Sequence, residues 1–304
     1  MKVLIIGLGS IAGKHIAALK AVVPNIEIHA LRSNKPSKQV KGVINCYSLD
    51  EVPVGLKFII ISNPTSLHFD TIKKVIHLEL PLFIEKPPLN SMKQANELIG
   101  LLRAHEISNY TAFNLRFHPI VQWLKENINS HRVIEVNAYC GSYLPSWRPS
   151  QDYREVYSAR EELGGGVHLD LTHEIDYLLW IFGKPVSTKS IKRKISDLEI
   201  TSVDSAKYWI EYEDFSINIT LNYFRRDSRR LVEVITDRTT LKCDLLGNKV
   251  TDLIERKTVF EAPSLSNLDT YIKQMKYFIG CLETNTQPMN SIHESIRTLK
   301  ICLT

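Results

Sequence analysis

Three short runs of this chain combine residue types and spacings that can do chemistry. The first is Gly7-x-Gly9-x-x-Ala12. Placed after a strand and opening a helix, it is a dinucleotide-binding fingerprint: Gly7 permits a tight turn and Gly9 lets backbone N–H groups approach a pyrophosphate, while Ala12, with Gly13 behind it, keeps helix and strand close. The helix N-terminus adds unpaired N–H groups and the positive end of its dipole, so Gly7, Gly9, Ser10, Ile11 and Ala12 are expected at the phosphates. The second run is Glu85-Lys86-Pro87. A lone Lys at a strand end is usually a surface residue, but on the cofactor edge of a sheet it is aimed into the crevice. Pro87 restrains Lys86 to an extended backbone and makes the bond between them a candidate cis peptide. The third is the Gly164-Gly165-Gly166 triplet running through His168, Asp170 and His173 to Asp176. Read as one helix over 167–182, it puts Asp170 and His173 three apart on one face. A carboxylate there can orient an imidazole and tune it as an acid/base. His168, Asp170 and His173 are also metal-ligand types, but 168 and 170 point to different sides of a helix, so no metal is expected. The competing reading is of capping and surface polar residues on an amphipathic helix.

Each run needs an element to position it. Residues 3–6 form a short apolar stretch, read as a strand buried on both faces. Strand-like runs follow at 26–31, 58–62, 82–84 and 109–113, separated by helical patterns near 12–23, 67–78 and 91–106. Alternation of this kind specifies a doubly wound parallel sheet with helices on both faces. Ligands of such sheets sit at the carboxyl ends of the strands. On that edge fall Gly7 to Gly9, Arg32-Ser33, Asn63-Pro64-Thr65 and Glu85-Lys86-Pro87. After about Leu115 the rhythm changes. A helix near 119–128, a strand at 133–139 and a long polar and aromatic segment, 141–163, lead to the glycine triplet. Beyond it come strands with period-two alternation, clearest in 206–212 and 215–223. Hairpin turns fall at Asp214 and Gly247-Asn248, and helices near 268–283 and 291–303 close the chain. The expectation is therefore an α/β chain: an N-terminal Rossmann domain over 1–115, and a C-terminal α+β domain over 116–304 with an open, mainly antiparallel sheet. Helices would cover one face of that sheet and a second subunit the other, giving a homodimer or homotetramer.

Length and composition agree. The chain has 304 residues, enough for two domains, and a mild net charge of +5. No dense basic stripe suggests a nucleic-acid partner; Lys192-Arg193-Lys194 and the 225–230 run read as a solvated strand end and a hairpin loop. Five scattered cysteines without a Cys-x-x-Cys pair argue for reduced thiols in a cytoplasmic protein. No apolar run approaches the roughly 20 residues that span a bilayer, and the N-terminus reads as a strand rather than a cleavable signal.

The second strand ends Leu31-Arg32-Ser33-Asn34. NAD-binding sheets usually carry a carboxylate at this edge for the ribose 2′-hydroxyl, whereas Arg accommodates a 2′-phosphate. Arg32 can pair bidentately with a phosphate and Ser33 can add a donor. NADP(H) is accordingly preferred over NAD(H). The competing reading makes Arg32 a solvated strand-end charge.

These motifs, together with Ser62-Asn63-Pro64-Thr65-x-x-His68 and Asn114-Leu115-Arg116-Phe117-His118-Pro119, resemble the glucose–fructose oxidoreductase / inositol 2-dehydrogenase / rhizopine-catabolism (Gfo/Idh/MocA) family over effectively the whole chain. The resemblance implies an NAD(P)-dependent dehydrogenase or reductase acting on the secondary alcohol or ketone of a sugar. It assigns catalysis to Lys86, Asp170 and His173, and extends the cofactor edge through Arg32, Ser33, Asn63, Pro64, Thr65, His68, Glu85 and Lys86. His173 would take or give the hydroxyl proton, Lys86 would stabilise oxygen charge, and Asp170 would orient the sugar or His173. Lys86, Arg116, Tyr143, Trp147, Arg148, Arg154, Asp170 and His173 are the expected substrate contacts. The commonest family pattern separates Asp and His by four; here the step is three. With Tyr143-Leu144-Pro145-x-Trp147-Arg148-Pro149 and Asp152-Tyr153-Arg154 before it, that version resembles a bacterial subgroup linked to surface-polysaccharide and nonulosonic-acid sugar biosynthesis. Two rival readings are a cofactor-sensing regulatory protein without turnover and a reductase of a non-sugar such as a tetrapyrrole or imine.

Overall fold

The structure is a computed structural model and describes residues 1–33, 39–266 and 268–304. It divides into two compact units, 1–114 with 266–299 and 115–265 with 300–304. Residues 266–299, expected in the second domain, thus belong to the first.

The first unit alternates strand and helix: β1 (Lys2–Ile6), α1 (Ser10–Val22), β2 (Glu27–Leu31), β3 (Ile44–Cys46), β4 (Leu56–Ile61), α2 (His68–Val75), β5 (Leu82–Ile84), α3 (Ala95–Ala104) and β6 (Asn109–Thr111). Its six strands are all parallel, in the order β3-β2-β1-β4-β5-β6. That is the strand order of a dinucleotide-binding sheet, reversing between β1 and β4, where such sheets bind their ligands. The central strands are apolar on both faces because helices cover both: Val3, Leu4, Ile5, Phe58, Ile59 and Ile60 are fully buried. The register brings Ile6 beside Leu31 and Ile61, and Ile61 beside Ile84, so the carboxyl ends form one edge. Strand β3 was not anticipated, and α3 begins four residues later than the 91–106 pattern suggested.

In the second unit α4 (Pro119–Asn127) precedes β7 (Val133–Gly141). Two short helices follow, α5 (Val167–Asp170) and α6 (His173–Phe182), then β8 (Ser187–Arg193), β9 (Ser205–Glu211), β10 (Ser216–Asn222), β11 (Arg229–Thr236), β12 (Thr240–Asp244), β13 (Lys249–Asp252) and β14 (Lys257–Glu261). The eight-stranded sheet runs β14-β13-β12-β11-β7-β10-β9-β8 and is antiparallel except for the β7–β10 pair. Alternation in β10 buries Ile217, Ile219 and Leu221 on the helix side. Its opposite face is polar at the centre, where Asn218 donates to Asn137 (3.1 Å), with half-exposed Trp209 and Ile191 toward one side.

Helix α7 (Asp269–Glu283) returns to the first unit, where Phe278 stands edge-on to Phe58 and Phe83 beneath the parallel sheet. The last helix is α8 (Ile292–Leu303); through residue 299 it belongs to the first unit. No helix among the described residues is long and apolar enough to cross a membrane. All five cysteines are free and buried.

Candidate active site

On the first unit the cofactor edge is built from backbone. Gly7 has φ +94, and a Cβ there would lie 2.5 Å from Asn63 Cα: it must be glycine because the end of β4 crosses directly against the turn. Gly9 has open space around its Cβ direction and N-caps α1, whose first turn holds no acidic residue. That cradle, with Ser10 and Ile11 at the start of the helix, fits a pyrophosphate. Ala12 is buried, but a Cβ on Gly13 would meet nothing within 4 Å, so the close approach of the helix requires a small residue at 12 and not at 13.

Ser62 Oγ donates to Gly7 O (2.9 Å), locking the turn to the next strand end. Asn63 Nδ2 donates to Thr71 Oγ1 (2.8 Å), while its buried Oδ1 has no protein donor, an acceptor a ribose hydroxyl would satisfy. Pro64 and Thr65 then turn the chain into α2. His68, expected at the cofactor, is instead a strut: it is 1% exposed, with Nε2 at Asn63 O (3.0 Å) and Nδ1 near Pro88 O (3.2 Å). Burial holds its pKa below the usual imidazole value. Glu85 is likewise directed inward. Its Oε1 is 2.5 Å from Nε2 of fully buried His15 on α1, and its Oε2 accepts the Lys86 N–H (3.0 Å). One carboxylate therefore ties the phosphate helix to the lysine's backbone. The Lys86–Pro87 bond is cis. At the end of β2, Arg32 Nη1 reaches Asn45 Oδ1 on neighbouring β3 (3.3 Å) and Ser33 is exposed; Asn34 lies outside the described residues.

In the second unit the single helix expected over 167–182 is broken. Asp170 ends α5, Leu171 and Thr172 turn, and His173 begins α6, so the two do not share a helix face. Buried Thr172 anchors the break, its Oγ1 2.8 Å from Cys302 Sγ. Two of the three glycines are required by packing: a Cβ on Gly165 would lie 2.7 Å from Arg160 O, and one on Gly166, at φ +129, would meet the His168 ring. Burial, and secondarily Lys192, lowers the pKa of His168 to about 4, so it is neutral near pH 7. Among the described residues no three His, Cys, Asp or Glu side chains converge as a metal site requires.

Asp170 Oδ2 accepts a 2.6 Å hydrogen bond from Tyr223, the first residue beyond β10. Burial, reinforced by the Asp170 charge, raises the Tyr223 pKa far above its ordinary value, so the phenol is a permanent donor. Trp147 stands edge-on to Tyr223 with centroids 5.4 Å apart, and its Nε1 donates to Ser142 (2.8 Å). Beside His173, fully buried Glu174 pairs with Arg230 at 2.7 Å; Arg230, expected in a solvated loop, is thus engaged by a buried carboxylate and only 23% exposed. Arg116 was an expected substrate contact. It is 4% exposed and clamps Asp176 on α6 through two bonds of 2.8 and 2.7 Å, so it braces the helix. Arg154 is drawn away by Asp152 (2.7 Å) and Glu199 (2.9 Å). Arg148 lies beside Trp147 and Tyr153. Tyr143 carries the guanidinium of Arg226 over its ring at 4.3 Å. No motif in the sequence gives Tyr223, Glu174 or His15 a role in the site. The alternation of β10 foretold that Tyr223 is buried, but nothing local named its partner.

A glycine turn at the reversal point of a parallel six-stranded sheet, followed by a mixed sheet that carries an Asp and a His on short helices, defines a chain built from a dinucleotide-binding type of sheet and an α+β unit. Residues 1–111 match the oxidoreductase family with NAD-binding Rossmann fold, and residues 121–242 match the GFO/IDH/MocA C-terminal domain. The chain belongs to the Gfo/Idh/MocA family. It is 22% identical over 230 residues to YrbE of Bacillus subtilis, an uncharacterised oxidoreductase, covering 72% of this chain and 65% of the relative's length. It is similar in fold to a crystal structure of an Agrobacterium radiobacter oxidoreductase in complex with NAD+, L-tartaric acid and magnesium (TM-score 0.85, 15% identity, 100% of this chain and 94% of that one). It is also similar to the WlbA dehydrogenase from Bordetella pertussis in complex with NADH and UDP-GlcNAcA (TM-score 0.81, 16% identity, 98% and 93%).

Proposed function

We propose that this chain interconverts a secondary alcohol and a ketone on a sugar or sugar derivative, using a nicotinamide dinucleotide. The observation that carries the reading is the strand-end lysine: Lys86 lies on the same sheet edge as the Gly7–Gly9 cradle, its backbone tied to α1 through Glu85 and His15. When bound, the nicotinamide accepts or supplies the hydride. His173 exchanges the hydroxyl proton as general base or acid. Lys86 donates to the substrate oxygen as charge develops on it. Asp170, fixed by Tyr223, orients the substrate or His173. Tyr143, Trp147 and Arg148 serve as the sugar contacts in this reading.

Three finer points belong to the same proposal. The cofactor is NADP(H) in preference to NAD(H), supported by Arg32 and Ser33 where a carboxylate would select the 2′-hydroxyl. The substrate is a sugar of surface-polysaccharide or nonulosonic-acid biosynthesis, processed in the cytoplasm. The chain self-associates through the uncovered face of the eight-stranded sheet, where Trp209 and Ile191 are half-exposed.

The test is a steady-state assay of nicotinamide absorbance over a panel of free, phosphorylated and nucleotide-linked sugars. Lys86→Ala and His173→Ala should each lower kcat by about 10²–10⁴-fold while leaving dinucleotide affinity within about twofold. Undiminished turnover in either variant would remove that residue from the chemistry. Cofactor binding with no turnover across the panel would favour a cofactor sensor.

A further inference from the structure

Strands β7 and β10 end, and β9 and β11 begin, at one edge of the eight-stranded sheet: Gly141 pairs with both Asn222 and Arg229, and Asn222 with Ser205. Asp170 is held at this edge through Tyr223. The segments that enter and leave it are rich in arginine, and most of that charge is already neutralised. Arg154 lies on Asp152 and Glu199, Arg160 on Glu155, and Arg225 and Arg229 share Asp227. The open hollow of about 430 Å³ between Arg154, Arg160, Lys194 and Glu199 is therefore of mixed charge.

Arg226 differs. Among the described residues no carboxylate lies within ion-pair distance of it, yet it is held in place: its guanidinium lies 4.3 Å over the Tyr143 ring and Nη2 is 3.4 Å from the Tyr143 hydroxyl. Among the described residues no carboxylate lies within ion-pair distance of Arg148, Arg193 or Lys194 either, but no aromatic ring lies under any of the three as Tyr143 does under Arg226. Stacking fixes the plane of a guanidinium and leaves most of its five N–H donors available as a fork that matches a phosphate. Tyr143 itself is anchored beside the Asp170 clamp, because the next residue, Leu144, donates its N–H to Tyr223 O (2.8 Å).

We propose that Arg226, seated on Tyr143, is an anion subsite that receives a phosphoryl group of the substrate away from the reacting carbon. The substrate class is accordingly a phosphorylated or nucleotide-linked sugar. This rests on the oxidoreductase reading above and puts Arg226 in place of Arg154 among the substrate contacts. A preorganised fork loses little freedom on binding, which favours its use for recognition.

The experiment is isothermal titration of the full chain with uridine diphosphate, inorganic phosphate and glucuronate in separate arms. Saturating NADPH is present throughout, so that the cofactor's own phosphate sites are filled. Wild type should bind uridine diphosphate, with inorganic phosphate weaker, and affinity should fall as salt rises. Arg226→Gln should weaken uridine diphosphate by about 10-fold or more, as loss of a charge-assisted pair implies. Arg229→Gln, whose charge is engaged by Asp227, should match wild type. Equal affinity of Arg226→Gln and wild type, or no binding by wild type, would overturn the subsite. Tighter binding of glucuronate than of either phosphate would overturn its assignment to a phosphoryl group. His173→Ala should bind uridine diphosphate as wild type does, so failure of the catalytic reading and failure of this one give different results.

Discussion

The cofactor edge of the first unit and the Asp170–His173 edge of the second solve the same problem with opposite materials. The first is shaped by missing side chains: Gly7 lets the end of β4 cross the turn, and Gly9 leaves a bare helix N-terminus. The second is held by side chains that grip one another, each pair with at least one buried member: Tyr223 on Asp170, Arg230 on Glu174, Arg116 on Asp176. A phosphate needs only N–H groups and a dipole, which any backbone supplies at the right turn. An acid/base pair needs a fixed direction and a controlled environment, and neighbouring polar groups must provide both.

That contrast breaks most easily at Asp176. Arg116 and Asp176 are 5% and 1% exposed, so removing one partner leaves a charge in the interior. Asp176→Ala should cost about 3–5 kcal/mol of stability, read as a lowered urea midpoint with an unchanged slope. Gly9→Ala is the matched test of the first edge. Nothing lies within 4 Å of the added Cβ, and φ is −75, so the fold should be unaffected or slightly stabilised. Dinucleotide affinity should fall instead, because the methyl occupies the cradle. If Gly9→Ala unfolded the chain while Asp176→Ala did not, the division between a backbone-built and a side-chain-built edge would fail.

His168 sharpens the same contrast through pH. Its pKa is lowered from 6.5 to about 4, chiefly by burial under the glycine triplet. The unfolded chain takes up this proton below about pH 6.5, whereas the folded chain resists until about pH 4. Stability is therefore full above the upper value, declines as pH falls between the two, and levels off below the lower, a loss of about 3 kcal/mol in total. His168→Gln should flatten that window in urea titrations. An unchanged pH slope in the variant would show that other groups carry the dependence.

How much of each edge was legible in the sequence follows from the same difference. Glycine spacing is a local record of backbone geometry, so Gly7, Gly9 and the strand ends at Asn63 and Lys86 could be placed from the chain alone. The parallel sheet was legible for a related reason: helices on both faces leave continuous apolar strands such as 58–61. On the second edge Asp170 and His173 were visible as residue types, but the turn at Leu171-Thr172 was not. Helical periodicity runs through it, and the contact that anchors it comes from Cys302, 130 positions away in sequence. The arginines are the least legible. Arg116 and Arg230 look like surface or substrate charges until their long-range partners, Asp176 and Glu174, are known. His68 and Glu85 carry signals strong enough to mark the edge, yet each turns inward to support it.

Arg154 sets the lower end of the scale. Its motif suggested a substrate contact, but its guanidinium faces Asp152, whose pKa its hydrogen bonds hold down to about 2. Both side chains are solvent-exposed, and exposed ion pairs of this kind contribute little. For Arg154 to grip a substrate anion it would have to leave Asp152 and Glu199, and their two negative charges would then stand beside the incoming one. Arg154→Ala should therefore change KM for a phosphorylated sugar by less than about twofold, as expected of a surface pair, with kcat and the urea midpoint unaltered. A tenfold or larger rise in KM in this variant, as expected only of a substrate contact, would mean that the pair opens on binding. The second edge would then be reshaped by its substrate, whereas the first is set by its glycines.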